Sequence, residues 1–207
     1  MEKTLIFSEP FLTAEHITYT HNFKINGKAI VINIDLDPLE FDELSLPTFK
    51  SVVCANTTIE LVKNMLLFTI PEGGYLAKNQ SIDREIIETS WQHIYELTNN
   101  DRLKSVELWR SEKIKMDHLE LNLWFAPKGT QCGIHNMHDF LEVHTQIYGL
   151  GRMQKFRTKD PSSIYQEVYM SPGFSNNPFY SNLGLYPWHQ YVADTDSIWL
   201  AIEQHSE

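Results

Sequence analysis

From residue 103 onwards the sequence is a series of short apolar runs separated by turns rich in glycine and proline. Several of the runs alternate apolar and polar residues, which is typical of strands because successive side chains point to opposite faces. Many short strands with such turns are typical of an antiparallel barrel or sandwich. The chain is therefore predicted to be mainly β. The strand-length runs are 105–109, 119–125, 140–148, 152–157, 166–170 and 198–203.

The first hundred residues predict further strands and one clear helix. Asn26-Gly27 is a dipeptide typical of a hairpin turn. The helix is predicted over about 81–98, where Ser81 can act as the N-cap and apolar residues recur on one face. We expect 1–102 to form a β-rich extension packed on a barrel that is formed by 103–207. The strand-length runs of this part are 17–20, 29–35, 52–55 and 65–70.

Charge and composition exclude several classes of partner. The formal net charge is −10, and the sequence has no long basic run. Nucleic acid is therefore not expected, since its binding depends on clustered lysine and arginine. No apolar stretch reaches the length of a membrane span, so no membrane association is expected. Cys54 and Cys132 are the only cysteines. Two cysteines make no disulfide framework, which favours two reduced thiols and a cytoplasmic location.

The strongest functional signal is a cluster of histidines. His135, His138 and His144, three of the nine histidines, fall within ten positions, and Glu142 stands among them. Imidazole nitrogen and carboxylate oxygen are donors that suit iron, manganese, zinc, copper and nickel. Cys132 lies three residues before His135 and offers a thiolate, although a free cysteine is more often a small buried hydrophobe.

Strand geometry sorts the residues that follow the cluster. One face is polar and suits a cavity lining, while the other is β-branched and suits packing. The polar face consists of Glu142, His144, Gln146 and Tyr148, and the other of Val143, Thr145 and Ile147. A solvent-facing strand has the same alternation, so parity leaves both interpretations open. His135 and His138 are an odd number of residues apart, and both reach one metal only if a turn or bulge separates them.

These residues resemble the first motif of the cupin family. Five residues separate Gly129 from His135, as in the family, three residues separate His138 from Glu142, and six separate Glu142 from Gly149. Two residues separate the histidines, where the family has one. Either a turn absorbs the extra residue, or only one histidine is a ligand.

If only one of the two histidines is a ligand, Asn136 or Met137 occupies the position of the other histidine of the motif. The segment 184–192, followed by a last strand, resembles the family's second motif, with His189 as the third histidine. The usual Pro-x-Gly is not intact in this segment, and Ala193 stands where the family often has asparagine. The resemblance covers about residues 119–203.

The resemblance implies a small antiparallel β-barrel of the jelly-roll, double-stranded β-helix type with one divalent transition metal per chain. Iron(II) is favoured, with manganese, zinc, nickel and copper as alternatives. Such a site keeps coordination positions open for substrate or water. His144 is then a further ligand, a partner of a ligand or the catalytic general base. The implied metal ligands are His135, His138, Glu142 and His189, and the expected substrate-binding residues are Gln146, Tyr148, Trp188 and Tyr191.

Three functions are compatible with this arrangement. The first is a mononuclear non-haem iron oxygenase acting on a small organic molecule. The second is an isomerase, epimerase or lyase that uses manganese, zinc or nickel, in which His144 moves a proton. The third is a non-enzymatic module that binds a small molecule. A metal-dependent enzyme of oxygenase type is favoured, and the family resemblance implies a homodimer.

Overall fold

The computed structural model describes residues 1–7, 12–70, 83–136, 138, 140–179 and 186–205. Within them the chain is mainly β, so the fold class predicted from sequence is confirmed. The strands are β1 (Glu2–Leu5), β2 (Thr13–Asn33), β3 (Leu39–Phe41), β4 (Leu44–Leu46), β5 (Ser51–Ile70), β6 (Gln92–His93), β7 (Trp109–Arg110), β8 (Ile114–Met116), β9 (Leu119–Ala126), β10 (Leu141–Tyr148), β11 (Gly151–Phe156), β12 (Ile164–Met170), β13 (Trp188–Ala193) and β14 (Ser197–Gln204). The helices are α1 (Arg84–Ser90) and α2 (Ile94–Thr98), and neither is long and apolar enough to cross a membrane.

Antiparallel pairing organises the strands into sheets. One has the order β10-β14-β9-β7-β6, with β8 also paired to β9, and another has the order β12-β11-β13. A third sheet has the order β1-β2-β5, and β3 pairs with β4. In the first sheet Glu142 of β10 lies opposite Glu203 of β14, which in turn lies opposite Glu120 of β9. This register aligns one polar row across three neighbouring strands.

The hydrophobic core joins both halves of the chain. Alternate residues of β10, β14 and β9 pack against apolar side chains of the β1-β2-β5 sheet, as period-two strands require. Examples of fully buried members are Ile30, Phe68, Leu121, Val143 and Leu200. One cluster of buried side chains is therefore shared by the two halves, and the proposed division at residue 102 stays a prediction.

The expected hairpin turn at Asn26-Gly27 is a bend within β2. Gly27 has a positive φ of 80°, and its N–H donates to Oδ1 of Asn56 at 2.9 Å. The chain on either side of the bend pairs with β5 rather than with itself. Gly27 therefore has the left-handed backbone conformation expected of this dipeptide. The long strand β5, however, provides more backbone hydrogen bonds than a local hairpin would.

The single helix predicted over about 81–98 is two helices in the structure. Asp83 caps α1 through its side chain, whereas Ser81 lies outside the described residues. Trp91 is extended, with φ −107° and ψ 156°, and separates α1 from β6 and α2. Its buried indole N–H donates to the carbonyl of Phe7 at 2.9 Å. Because this tertiary contact and the pairing of β6 with β7 hold the chain extended, the local helical pattern does not continue.

Candidate metal centre

Backbone pairing brings two distant histidines face to face. The loop before β10 runs beside β13, where Cys132 N–H donates to Tyr191 O at 3.0 Å. Further along, His135 and His189 exchange both backbone hydrogen bonds, at 3.1 and 2.9 Å. Directly opposite residues of an antiparallel pair project to the same side. The two imidazole rings accordingly lie 4.3 Å apart, centre to centre.

His138 completes a group of three imidazoles. Its ring centre is 4.9 Å from that of His135 and 5.3 Å from that of His189. One nitrogen from each of the three lies within 4.8 Å of the others. Between the bridge at His135 and the start of β10 at Leu141, the described residues are not in a strand. The imidazoles of His135 and His138 therefore come close together although two residues separate them.

Two of the rings are oriented by backbone carbonyls. The Nδ1 of His135 lies 3.0 Å from the carbonyl of Gly133, and the Nδ1 of His189 lies 3.1 Å from that of Pro187. A carbonyl only accepts hydrogen bonds, so each Nδ1 carries the proton and each Nε2 keeps its lone pair. This is the arrangement of a metal-ligating histidine, whose second nitrogen is held by a backbone or carboxylate acceptor.

The electrostatics of His189 suit a ligand. The side chain is buried, and its Nε2 has no hydrogen-bond partner among the described residues. Burial, reinforced by the neighbouring His135, lowers the pKa of His189 from 6.5 to about 3. The ring is therefore neutral at physiological pH, as coordination requires. An orphaned lone pair aimed at two other imidazoles fits a divalent transition metal.

Glu142 supplies a carboxylate beside the three rings. Its Oε2 lies 3.9 Å from Nε2 of His138 and accepts a hydrogen bond from the hydroxyl of Tyr186 at 3.3 Å. Its Oε1 lies 3.0 Å from Nε2 of His144. Burial acts to raise the pKa of this carboxyl, but the surrounding imidazoles, His144 foremost, lower it below the ordinary value. Glu142 therefore stays ionised beside the three imidazoles, although it is not one of the three groups that converge within 4.8 Å.

His144 lies on the other side of Glu142 and is not one of the three mutually close imidazoles. It is buried, and its Nδ1 has no hydrogen-bond partner within the described ranges. The backbone N–H of His144 donates to Oδ1 of Asn176 at 2.8 Å, and its ring meets Phe179 edge-on at 5.4 Å. These contacts hold the imidazole of His144 beside Glu142, outside the group of three imidazoles.

A cavity of about 630 Å³ opens beside the metal-ligand candidates. Its size suits a small organic molecule. One wall comes from α2 and the segment after it, which sequence reasoning did not assign to the site. The apolar wall residues are Ile94, Leu103, Val106, Leu108, Trp124, Trp188, Tyr191 and Trp199. The amphipathic pattern of the predicted helix is the only sequence signal for this wall, and it does not reveal what the helix packs against.

Four residues were expected to bind substrate, and the structure places only two of them at this cavity. Trp188 and Tyr191 line it. Gln146 is buried within the fold, where it accepts from the hydroxyl of Tyr191 at 2.8 Å and donates to the carbonyl of Tyr148 at 2.7 Å. Tyr148 lines a separate depression with Lys128. It lies six residues after Glu142, roughly 20 Å along an extended strand, which explains why it does not reach the cluster.

Two further candidate ligand groups are explained without a metal. Cys132 lines the cavity, but burial raises the pKa of its thiol, and it is not one of the three converging ligands. Glu120, Glu203 and His205 also lie close together. The ammonium of Lys113 lies 2.8 Å from Glu120 and 2.5 Å from Glu203, and that of Lys115 lies 3.3 Å from Glu120, so two lysines already pair with these carboxylates.

Comparison with known proteins gives fold neighbours but no sequence relative. No family model matches the chain, and no curated protein matches it. A cupin superfamily protein from Desulfitobacterium hafniense DCB-2 is 10% identical, with 56% of this chain and 90% of that chain covered, at a TM-score of 0.38. An RmlC-like cupin from Shewanella frigidimarina NCIMB 400 is 17% identical over 50% and 81%, at 0.37.

The structure of KdgF from Halomonas sp. is 14% identical, with 58% of this chain and 89% of that chain covered, at a TM-score of 0.40. Because all three TM-scores lie below 0.5, function is inferred from the geometry of the site.

Proposed function

We propose that this chain is a cupin-type, metal-dependent enzyme that acts on a small organic molecule with a largely apolar body. The observation that carries the proposal is the convergence of His135, His138 and His189, two of them with Nδ1 held by a carbonyl. Glu142 would be the fourth ligand. Such a set leaves coordination positions open for substrate or water.

The bound metal would supply a Lewis-acid or redox centre, and the chain's own residues prepare the reaction around it. The hydroxyl of Tyr186 donates to Oε2 of Glu142 and so orients this carboxylate, and Nε2 of His144 lies 3.0 Å from Oε1. The apolar walls bind the body of the substrate and exclude water, with Trp188 and Tyr191 among them. Exclusion of water strengthens electrostatic interactions with the reacting group.

Within this proposal the favoured reaction is that of a mononuclear non-haem iron oxygenase. The three-histidine, one-carboxylate donor set suits iron(II), although manganese, zinc, nickel and copper accept the same donors. A cavity with largely apolar walls also suits oxygen chemistry, because it protects reactive species from side reactions.

The second candidate is an isomerase, epimerase or lyase, and the position of His144 favours it. Its buried Nδ1 lacks a partner in the described part of the chain, and its Nε2 is 3.0 Å from Oε1 of Glu142. An imidazole held by a carboxylate is the usual arrangement of a general base. In this reaction His144 would take a proton from substrate beside the centre.

Metal analysis of protein purified without oxygen tests the proposal. We expect one metal per chain in the unmodified protein, and strongly reduced content in His135→Ala and His189→Ala. His118→Ala, which changes an exposed histidine, is the matched control and should keep its metal. Retention of full metal content by both site variants would refute the proposal.

The same samples separate the two reactions. Iron together with substrate-dependent oxygen uptake supports the oxygenase, whereas zinc or manganese without oxygen uptake supports the proton-transfer enzyme. A protein that binds small molecules but no metal would be the non-enzymatic module. The homodimer and the cytoplasmic location stay predictions, and light scattering coupled to gel filtration measures the first of them.

A further inference from the structure

A second cavity, of about 400 Å³, lies outside the candidate metal centre. It carries two lysines and several neutral hydrogen-bonding groups, but no carboxylate is among its lining residues. The polar members are Lys50, Lys155, Ser51, Gln166, Ser175, Asn176 and Asn177. A positively charged cavity is unexpected in a chain whose net charge is −10, so its charge calls for a specific explanation.

Neither lysine has an anionic partner in the part of the chain that the structure describes. The ammonium of Lys50 donates to the carbonyl of Asn176 at 3.0 Å and to Oδ1 of Asn177 at 2.6 Å, which are both neutral acceptors. That of Lys155 lies 5.7 Å from the ring centre of Phe179. Both side chains are half-buried, and burial lowers the pKa of each. Removing a cation from water without a counter-ion is costly.

Asn176 adds a donor that also lacks an acceptor. The side chain is 5% exposed, and its Oδ1 accepts the N–H of His144 at 2.8 Å. This bond sets the orientation of the amide, so the other terminus is Nδ2, which only donates. Nδ2 is buried and has no hydrogen-bond partner among the described residues. A buried donor without an acceptor costs about 1–3 kcal/mol.

The segment that carries Asn176 and lines this cavity is held firmly. The hydroxyl of Ser51 donates to the carbonyl of Gly173 at 2.8 Å and lies 2.7 Å from that of Ser175. Ser175 in turn lies 2.6 Å from the hydroxyl of Thr145 in β10. The segment 173–176 is therefore attached to both β5 and β10. A donor fixed in this way is organised before any ligand arrives, which reduces the entropic cost of binding.

We propose that this cavity binds the oxyanion group, phosphate or carboxylate, of a small molecule. Lys50 and Lys155 would supply the charge, and Nδ2 of Asn176 would supply a neutral hydrogen bond. Charge-assisted hydrogen bonds to an oxyanion are about twice as strong as neutral ones, and lysine is a common phosphate ligand. The cavity is larger than the anionic group alone requires, so the group belongs to a larger molecule, whose remainder contacts Met153 and Val168. The site does not depend on the proposed function of the metal centre.

Isothermal titration calorimetry of the full chain, with inorganic phosphate in one arm and succinate in the other, tests the proposal. We expect saturable binding of at least one anion, weakened about tenfold or more in Lys50→Gln and in Lys155→Gln. Tighter binding of phosphate assigns a phosphate group, and tighter binding of succinate assigns a carboxylate. Lys50→Arg keeps the charge and should retain binding. Lys24→Gln, which removes one exposed charge on β2, should bind as the unmodified chain does.

Three results would overturn the proposal. The first is the absence of saturable binding in both arms. The second is an equal change among the lysine variants. If Lys24→Gln weakens anion binding as much as Lys50→Gln does, the anion responds to diffuse charge. If Lys50→Arg weakens it as much as Lys50→Gln does, the substitution distorts the loop. The third is loss of anion binding in the folded His189→Ala variant, because an anion on the metal centre would depend on that histidine and an anion in this cavity would not.

Discussion

Two glycines of the histidine motif differ sharply in the space around them, and this difference gives a quantitative prediction. Gly149 and Gly129 both have positive φ, 73° and 88°, so alanine is strained at either position. A Cβ added at Gly149 would overlap the backbone oxygen of Asp196 and lie 2.8 Å from Oγ1 of Thr195 and 2.9 Å from Oγ of Ser197. A Cβ added at Gly129 meets no atom within 4 Å.

Gly129→Ala should therefore lose only the backbone term, about 1–2 kcal/mol of unfolding free energy. Gly149→Ala should lose that term and a further ~1–3 kcal/mol for overpacking against a backbone that cannot rotate away. The pair isolates steric overlap, since the substitution and the sign of φ are the same.

Urea denaturation followed by tryptophan fluorescence measures both variants. In thermal unfolding the difference corresponds to roughly 2–4 °C for each kcal/mol in a chain of this size. Equal losses of stability at the two positions would refute the reasoning. They would mean that the turn at Gly149 is not packed against residues 195–197 as the structure has it.

Three other changes have defined outcomes. Tyr186→Phe removes the hydroxyl that donates to Glu142. Metal affinity, measured by competition with a chelator, should fall about tenfold. Unchanged affinity would show that this hydrogen bond does not orient Glu142. Trp91→Phe leaves the buried carbonyl of Phe7 without its hydrogen-bond donor. The free energy of unfolding, measured by chemical denaturation, should fall by about 1–3 kcal/mol. No change would mean that this hydrogen bond is not what interrupts the helix. Acidification should destabilise the metal-free protein, because the folded-state pKa of His189, about 3, lies below the ordinary 6.5. The unfolded chain then binds the extra proton as pH falls from 6.5 towards 3, so roughly 2–3 kcal/mol should be lost by pH 4.5. His189→Ala should reduce the dependence of unfolding free energy on pH. An unchanged dependence would contradict the assignment of this effect to His189.

The strands near the site were predictable because their signals are local. Alternation along β9, β10 and β14 depends on neighbours in sequence, and each of these strands is in the structure where the pattern predicts it. Helix is present within the predicted range 81–98, but its interruption was not predictable, because Trp91 is held extended by the carbonyl of Phe7, 84 residues earlier. Helical periodicity contains no information about such a contact.

For the site, motif spacing singled out the residues but not their arrangement. It named His135, His138, Glu142 and His189 together, and their role as metal ligands stays a prediction. Parity placed Gln146 and Tyr148 on the same strand face as Glu142, yet parity does not state how far along the strand a cavity extends. Motif spacing also left open whether His135 and His138 reach one point, and only the tertiary structure brings their rings to within 4.9 Å, centre to centre.

The sequence by itself determined the mainly β class, the strands around the motif and the short set of residues with ligand chemistry, since all three depend on local pattern and residue type. Only the tertiary structure decided that His135 pairs with His189, that α2 forms a wall of the cavity, and that Lys50 and Lys155 share a second one. These juxtapositions join residues that are distant in the sequence. They follow from strand register and core packing, in which many weak contacts act together, and no local pattern records their sum.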